Sequence, residues 1–225
     1  MRLEVKNLAK RFTIHTRGGV EIEGFSDISF SVKKGSFLSL RGSSGSGKSS
    51  VLKTIYRSYL PSGGAICLHT DEGIYDLAKV SDSAMLEIRE RYIGYVSQFL
   101  QVLPRIGAVD IVATPLVQKG ESEAVAKQKA REMLDFFGIK EELFSLSPLT
   151  FSGGEQQRVN IAKGIIAPKM LLLLDEPTAS LDATNRKKVL EKLHTLKNEG
   201  VSMIGIFHDK ASMEEISNEI YDIQG

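Results

Sequence analysis

Eight consecutive residues constrain this chain more than any others: Gly42-Ser43-Ser44-Gly45-Ser46-Gly47-Lys48-Ser49. They satisfy G-x-x-x-x-G-K-[ST] in full. The apolar run Phe37–Leu40 precedes them, and Val51–Tyr59, which can form a helix, follows. A strand that turns through such a loop into a helix points backbone N–H groups and the positive helix end into one hollow, which suits phosphate oxygens. Lys48 is placed to reach the β- and γ-phosphates of a nucleoside triphosphate, and Ser49 to ligate Mg²⁺. Ser43, Ser44, Ser46 and Ser50 belong to the same phosphate-binding stretch.

Strand-like runs recur at Leu3–Val5, Ile28–Val32, Phe37–Leu40, Ile93–Val96, Met170–Leu174 and Val201–Phe207. Helical periodicity lies between several of them. Ala126, Ala130, Met133, Leu134 and Phe137 share one helical face, as do Val189, Leu193 and Leu196 ahead of a stop at Gly200. Met170–Leu174 is apolar on both faces, as a central strand of a parallel sheet should be. Alternating strands and helices predict an α/β fold. Residues 83–147 read as a mostly helical lobe inserted into a core of 1–82 and 148–225, with turns at Pro104, Gly107, Pro115 and Gly120.

Two further stretches carry chemistry. Leu171-Leu172-Leu173-Leu174-Asp175-Glu176 is an apolar strand ending in two carboxylates. Asp175 suits Mg²⁺ through a water, and Glu176 is placed to polarise a water that attacks the γ-phosphate. Phe151-Ser152-Gly153-Gly154-Glu155-Gln156-Gln157-Arg158 contains the capping box Ser152/Glu155, starting a helix that runs to about Ile166. Its two glycines leave first-turn amides open to an anion.

Composition narrows the classes. Lys and Arg total 29 against 28 Asp and Glu, a net charge of +1, which argues against nucleic acid or a membrane surface as the main partner. The one cysteine, Cys67, cannot form an internal disulfide. No apolar run approaches the roughly 20 residues of a membrane span, and Met1–Asn7 alternates charged with apolar residues, unlike a signal peptide. The expectation is a cytoplasmic protein that reaches a membrane only through a partner.

In this order the motifs resemble the ATP-binding cassette (ABC) ATPases over essentially the whole chain. The phosphate loop at Gly42–Ser49 is followed by Gln98 as Q-loop glutamine, Ser152–Gln156 as signature, Leu171–Glu176 as acidic strand, Ala179–Asp182 as D-loop and His208 as H-loop histidine. The resemblance implies an ABC-type fold: a parallel-rich core sheet, an N-terminal antiparallel β lobe and the inserted helical lobe. It also implies ATP and Mg²⁺ as ligands and a head-to-tail dimer, with itself or a second ABC subunit. Each ATP would be sandwiched between one phosphate loop and the other subunit's Ser152, Gly153 and Gly154. Phe12 would stack on adenine. Gln98 would sense Mg²⁺ or the attacking water, His208 would contact the γ-phosphate, and Asp182 would shape the dimer contact. The commonest signature has Leu and Gln where this chain has Phe151 and Glu155. A carboxylate there keeps the capping box but sits uncomfortably near a partner's phosphates.

Longer strings resemble the L-type ATPase subunits of bacterial phosphonate carbon–phosphorus lyase systems. They are Val96–Ile106, Phe151–Asn160, Gly205–Asp209, Phe12–His15 and Tyr59–Pro61. That likeness implies an accessory, non-transport ATPase acting on a soluble carbon–phosphorus lyase core complex at the stage that makes a ribosyl phosphonate triphosphate. The alternative is a transporter subunit of the lipoprotein-release or macrolide-export class, docking a membrane partner in the groove beside Gln98. Soluble ABC proteins of DNA repair or the ribosome usually carry a long coiled coil or two cassettes, and neither is present.

Overall fold

The computed structural model describes residues 1–14, 19–101 and 104–223. Strand β1 (Leu3–Ile14) leads to β2 (Val20–Val32) and β3 (Phe37–Arg41), then helix α1 (Lys48–Ile55). Strands β4 (Gly63–His69) and β5 (Ile74–Asp76), α2 (Asp82–Tyr92) and β6 (Ile93–Val96) follow. Helices α3 (Ala108–Gln118), α4 (Glu123–Phe136) and α5 (Gly153–Ile165) precede β7 (Leu171–Asp175). The described chain ends with α6 (Ala183–Asn198), β8 (Ser202–Ile206), α7 (Lys210–Ile216) and β9 (Glu219–Asp222).

The strands form two sheets. One is antiparallel in the order β2-β1-β4-β5, and the other is parallel in the order β6-β7-β8-β3-β9. The parallel core and N-terminal antiparallel lobe expected from the sequence are both present. β7 and β8 are buried at every position, as strands covered on both faces must be. Their side chains alternate between two cores. Leu171 and Leu173 join Leu38, Leu40, Val51 and Leu52 and the antiparallel sheet on one side. Leu172 and Leu174 join Phe37, Val159, Ala162 and Leu193 beneath α3–α7 on the other. Each fully buried Leu is worth about 1.5–3 kcal/mol. The core sheet is therefore anchored from both faces, and the loops at its strand ends rest on a rigid base.

Three local readings change. β1 and β2 are far longer than Leu3–Val5 and Ile28–Val32, because the pairing shifts register between Val5 and Leu8, Leu8 and Lys10, and Lys10 and Arg11. Those bulges break the period of two that marks a strand in sequence. Asn7 and Asp27, at φ 48° and 52°, face each other there, Asn7 Nδ2 donating to Asp27 Oδ1 at 2.9 Å. Pro115 is not a turn but lies inside α3. Burial of Val112 and Leu116 on the same helix offsets the roughly 3 kcal/mol that an interior proline costs. The span 83–147 also contributes β6 to the core sheet as well as α3 and α4 to the helical side. Among the described residues no helix is long and apolar enough to cross a membrane.

Candidate active site

Sheet order gathers the chemistry. In a parallel sheet all carboxyl ends lie on one edge, where ligands bind. Gln98 follows β6, Asp175 ends β7 with Glu176 just beyond it, His208 follows β8, and the phosphate loop follows β3. Residues more than a hundred positions apart thus meet.

The loop from Gly42 to Gly47 curls as its glycines permit. A Cβ on Gly42 would lie 2.5 Å from Ser46 Oγ. Gly47, at φ 86°, caps α1, and a Cβ there would lie 2.4 Å from the carbonyl oxygen of Gly24 on β2. Gly45, at φ 84°, has open space where its side chain would be. Lys48 Nζ spans the loop, donating to the carbonyls of Gly42 at 2.8 Å and Ser43 at 2.6 Å. A cleft of about 390 Å³ opens beside it, lined by Gly42, Ser44, Gly45, Gly47, Lys48, Ser49 and Ser50, with Glu176 and His208 across it. Ser43 and Ser46 complete the turn from behind, Ser46 N donating to Ser43 O at 3.2 Å.

Asp175 is buried, 3% exposed, and both its oxygens are occupied. Ser49 Oγ donates to Oδ1 at 2.8 Å, and Tyr95 OH to Oδ2 at 2.9 Å. Burial and the Asp175 charge together push the Tyr95 phenol well above its ordinary value, fixing it as a donor. Serine and aspartate oxygens converging at hydrogen-bond distance are hard donors of the kind Mg²⁺ takes.

Glu176 sits one residue beyond the strand at φ 56°, the left-handed region that non-glycine residues rarely adopt, and such strain gathers at functional positions. Its N–H donates to Ile206 O at 3.2 Å, which ties it to β8. Its carboxylate is gripped on both sides: Gln98 Nε2 donates to Oε2 at 2.6 Å, and His208 Nε2 lies 2.8 Å from Oε1. Gln157 Nε2 donates to the carbonyls of Glu176 and Pro177, both at 3.2 Å, holding the turn from α5. Asn160 Nδ2 similarly donates to Ser97 O at 2.6 Å, fixing the segment that presents Gln98.

The remaining expected residues lie elsewhere. Ser152, Gly153 and Gly154 begin α5 outside the phosphate cleft; Ser152 and Gly153 are exposed. The capping box is complete, with Ser152 N donating to Glu155 Oε2 at 2.9 Å, Ser152 Oγ at 2.6 Å, and Glu155 N returning a bond to Ser152 Oγ at 3.4 Å. Those donors hold the Glu155 carboxyl below the usual range. Phe12 is half-buried on β1, edge-on to Tyr59 at 5.1 Å and beneath Lys10, and it does not line the phosphate cleft. Asp182 caps α6, accepting from Asn185 N at 2.8 Å. Tyr95, Gln157 and Asn160 escaped sequence reasoning. Tyr95 was readable only as a residue of the strand before Gln98, and the other two only as polar positions on the signature helix.

Comparison with known proteins agrees with this geometry. The family described as ABC transporter matches residues 25–179. The lipoprotein-releasing system ATP-binding protein LolD of Aquifex aeolicus is 35% identical over 187 residues, covering 83% of this chain and 81% of that one. LolD of Hyphomonas neptunium is 36% identical over 200 residues, covering 88% and 85%. Among solved structures, the dimeric post-hydrolysis state of the ATP-binding cassette MJ0796, bound to ADP and Pi, has a TM-score of 0.88 at 27% identity, covering 99% of this chain and 94% of that one. The phosphate loop, acidic strand and gathered strand ends therefore make this chain a member of the ABC ATPase family.

Proposed function

We propose that this chain hydrolyses ATP as one half of a head-to-tail dimer, and that closing and reopening the dimer drives a partner protein. The convergence of Lys48, Ser49, Gln98, Asp175, Glu176 and His208 at the strand ends carries this reading. Glu176 takes a proton from water as the oxygen bonds to the γ-phosphorus; the bond to the bridging oxygen breaks, releasing ADP and phosphate. Lys48 and the amides of 42–50 bind the phosphates, while Gln98 and His208 hold the Glu176 carboxylate in place. Ser49, Asp175 and Gln98 are the residues that would hold Mg²⁺, Ser49 Oγ and Asp175 Oδ1 already meeting at 2.8 Å and Gln98 being tied to the site through its amide nitrogen. Bound there, Mg²⁺ would offset phosphate charge. Phe12 takes the adenine face.

Ser152, Gly153 and Gly154 act on the other subunit's ATP. Their position away from their own phosphate cleft, with Ser152 and Gly153 exposed, supports this, as does the likeness to a cassette whose solved form is a dimer. Within each subunit, 1–82 and 148–225 together with β6 serve as the ATP-binding core, and the helical part of 83–147 as the lobe that passes closure to the partner. Differential binding of ATP and ADP states supplies the work, and turnover rises when the partner docks.

For the partner, the reading is a membrane permease of the lipoprotein-release or macrolide-export class docked beside Gln98, and the two LolD relatives, named as lipoprotein-releasing ATP-binding proteins, support its lipoprotein-release form. A second reading, the soluble carbon–phosphorus lyase core complex, is favoured by the strings Val96–Ile106, Phe151–Asn160 and Gly205–Asp209. One experiment separates them. Tagged Glu176→Gln protein is recovered from its native host grown on phosphonate, with ATP and Mg²⁺ present, and co-purifying proteins are identified by mass spectrometry. An integral membrane permease establishes the first reading; carbon–phosphorus lyase subunits overturn it in favour of the second. Recovery of neither, with the protein monomeric in ATP, refutes the dimeric motor.

A further inference from the structure

Ser152 has one hydroxyl hydrogen, and its own subunit already takes it. Ser152 Oγ donates to Glu155 Oε2 at 2.6 Å, within the short range of a hydroxyl on a carboxylate. The same carboxylate oxygen accepts Ser152 N at 2.9 Å. These two donors hold the Glu155 carboxyl below the usual range, and the charges of Arg158 and Lys140 add to the effect, so Glu155 is ionised at neutral pH. An ionised carboxylate only accepts, so nothing on that side chain can turn the contact round and free the hydrogen. What Ser152 Oγ receives in return is longer: Glu155 N donates to it at 3.4 Å.

The three groups assigned to the other subunit's ATP are therefore unequal. Gly153 and Gly154 open α5, where first-turn N–H groups have no acceptor within the helix, and a Cβ on Gly153 would meet nothing within 4 Å. Their amides stay available to a phosphate. Ser152 meets the same phosphate with its hydrogen engaged and a negative charge bonded to it. That charge also offsets the positive end of α5, the feature that draws an anion to a helix start. Both effects oppose the holding of a second subunit's triphosphate. Neither touches the phosphate cleft of the same subunit, which Glu155 does not line.

We propose that Glu155 restrains closure of the dimer: its carboxylate withholds the Ser152 hydroxyl from the γ-phosphate bound by the other subunit, so that ATP alone closes the sandwich weakly. This rests on the head-to-tail reading above and adds what sets the strength of closure. A glutamine at 155 removes the restraint within the same capping box. Its amide oxygen accepts Ser152 N, its amide nitrogen donates to Ser152 Oγ, and the hydroxyl hydrogen is left for the phosphate. A sandwich that ATP closes weakly leaves the decision to the docked partner.

The test is ATP-driven dimerisation of the full chain carrying Glu176→Gln, followed by sedimentation across protein concentration, with and without Glu155→Gln. Glu155→Gln should lower the concentration of half-dimerisation about tenfold or more, since each dimer regains two donors to charged phosphates. Affinity of the dilute monomer for a fluorescent ATP analogue should stay unchanged, and melting without nucleotide should move by no more than a few degrees. Adding Ser152→Gly, which a helix start tolerates, should shrink the gain at least threefold, because no hydroxyl is left to release. A gain of less than about threefold from Glu155→Gln, or weaker dimerisation, overturns the proposal. So does a gain that does not shrink with Ser152→Gly, which would make charge repulsion alone the cause. If the chain stays monomeric in ATP whichever residue holds position 155, the head-to-tail reading fails first and this proposal with it.

Discussion

Replacing Tyr95 with Phe removes one oxygen and leaves the ring, and its neighbour Tyr56 at 5.0 Å, in place. The lost hydroxyl is the donor to Asp175 Oδ2 at 2.9 Å, and Asp175 is 3% exposed, so water cannot readily replace it. A hydrogen bond to a charged group contributes about 1.5–3 kcal/mol, and stranding the acceptor forfeits that in full. In a chain of 225 residues each kcal/mol moves the melting point by roughly 2–4 °C, so Tyr95→Phe should melt roughly 3–12 °C lower without nucleotide. The pH dependence adds a signature. The folded state raises the Tyr95 pKa, so between the unfolded phenol value of about 10 and the higher folded one the native state holds the extra proton, and stability falls as pH rises. The contribution is complete below about pH 10 and is lost above it. The gap between wild type and Tyr95→Phe should therefore be wide at neutral pH and narrow in alkali. Thermal unfolding across that range measures both. A variant that melts with wild type at neutral pH, or a gap that stays constant into alkali, would refute the claim that Tyr95 holds an ionised Asp175.

Glu176→Gln should retain ATP binding, slow turnover by about 10²–10⁴-fold as loss of a general base does, and accumulate an ATP-bound dimer by size exclusion. Near-normal hydrolysis would remove Glu176 from its role. Lys48→Ala should weaken ATP binding in calorimetry, and unchanged affinity would place the nucleotide elsewhere. Mixed Ser152→Arg and Lys48→Ala subunits should regain activity above either alone, since one composite site per heterodimer is then intact; a confirmed heterodimer without activity counts against the sandwich. Gly47→Ala places a Cβ 2.4 Å from Gly24 O at φ 86°, so it should cost at least 1 kcal/mol or so of stability and impair ATP binding together.

The phosphate loop, the acidic strand and the signature were legible in sequence because their constraints are local. Spacing within eight residues decides whether amides can face a phosphate, and Ser152 and Glu155 meet whenever three positions separate them at a helix start. Gln98 and His208 were legible only through the order of motifs; what brings them to 2.6 and 2.8 Å from Glu176 is the β6-β7-β8 order, which no local pattern encodes. Tyr95 was hidden for the same reason, since its function is a contact with a strand 80 residues away. The full lengths of β1 and β2 were masked by bulges, and Pro115 by a helix whose packing overrides its residue preference. Where the phosphate-loop strand sits in its sheet was equally unreadable.

That position has a consequence for how the protein is made. β3 lies between β8 and β9, so its main-chain groups pair only with segments near the far end of the chain. Ser39 Oγ meets Ser217 Oγ at 2.6 Å across 178 residues. At roughly 5–20 residues per second of synthesis, the phosphate loop emerges from the ribosome about 8–35 s before its flanking strands do. During that interval it hangs from an unpaired apolar strand, exposed to wrong pairings. The nascent chain can assemble β1, β2, β4 and β5 early, but its capacity to hold a nucleotide arrives late and all at once. Conditions that slow the last stage of translation should therefore yield chains that aggregate rather than chains that bind weakly.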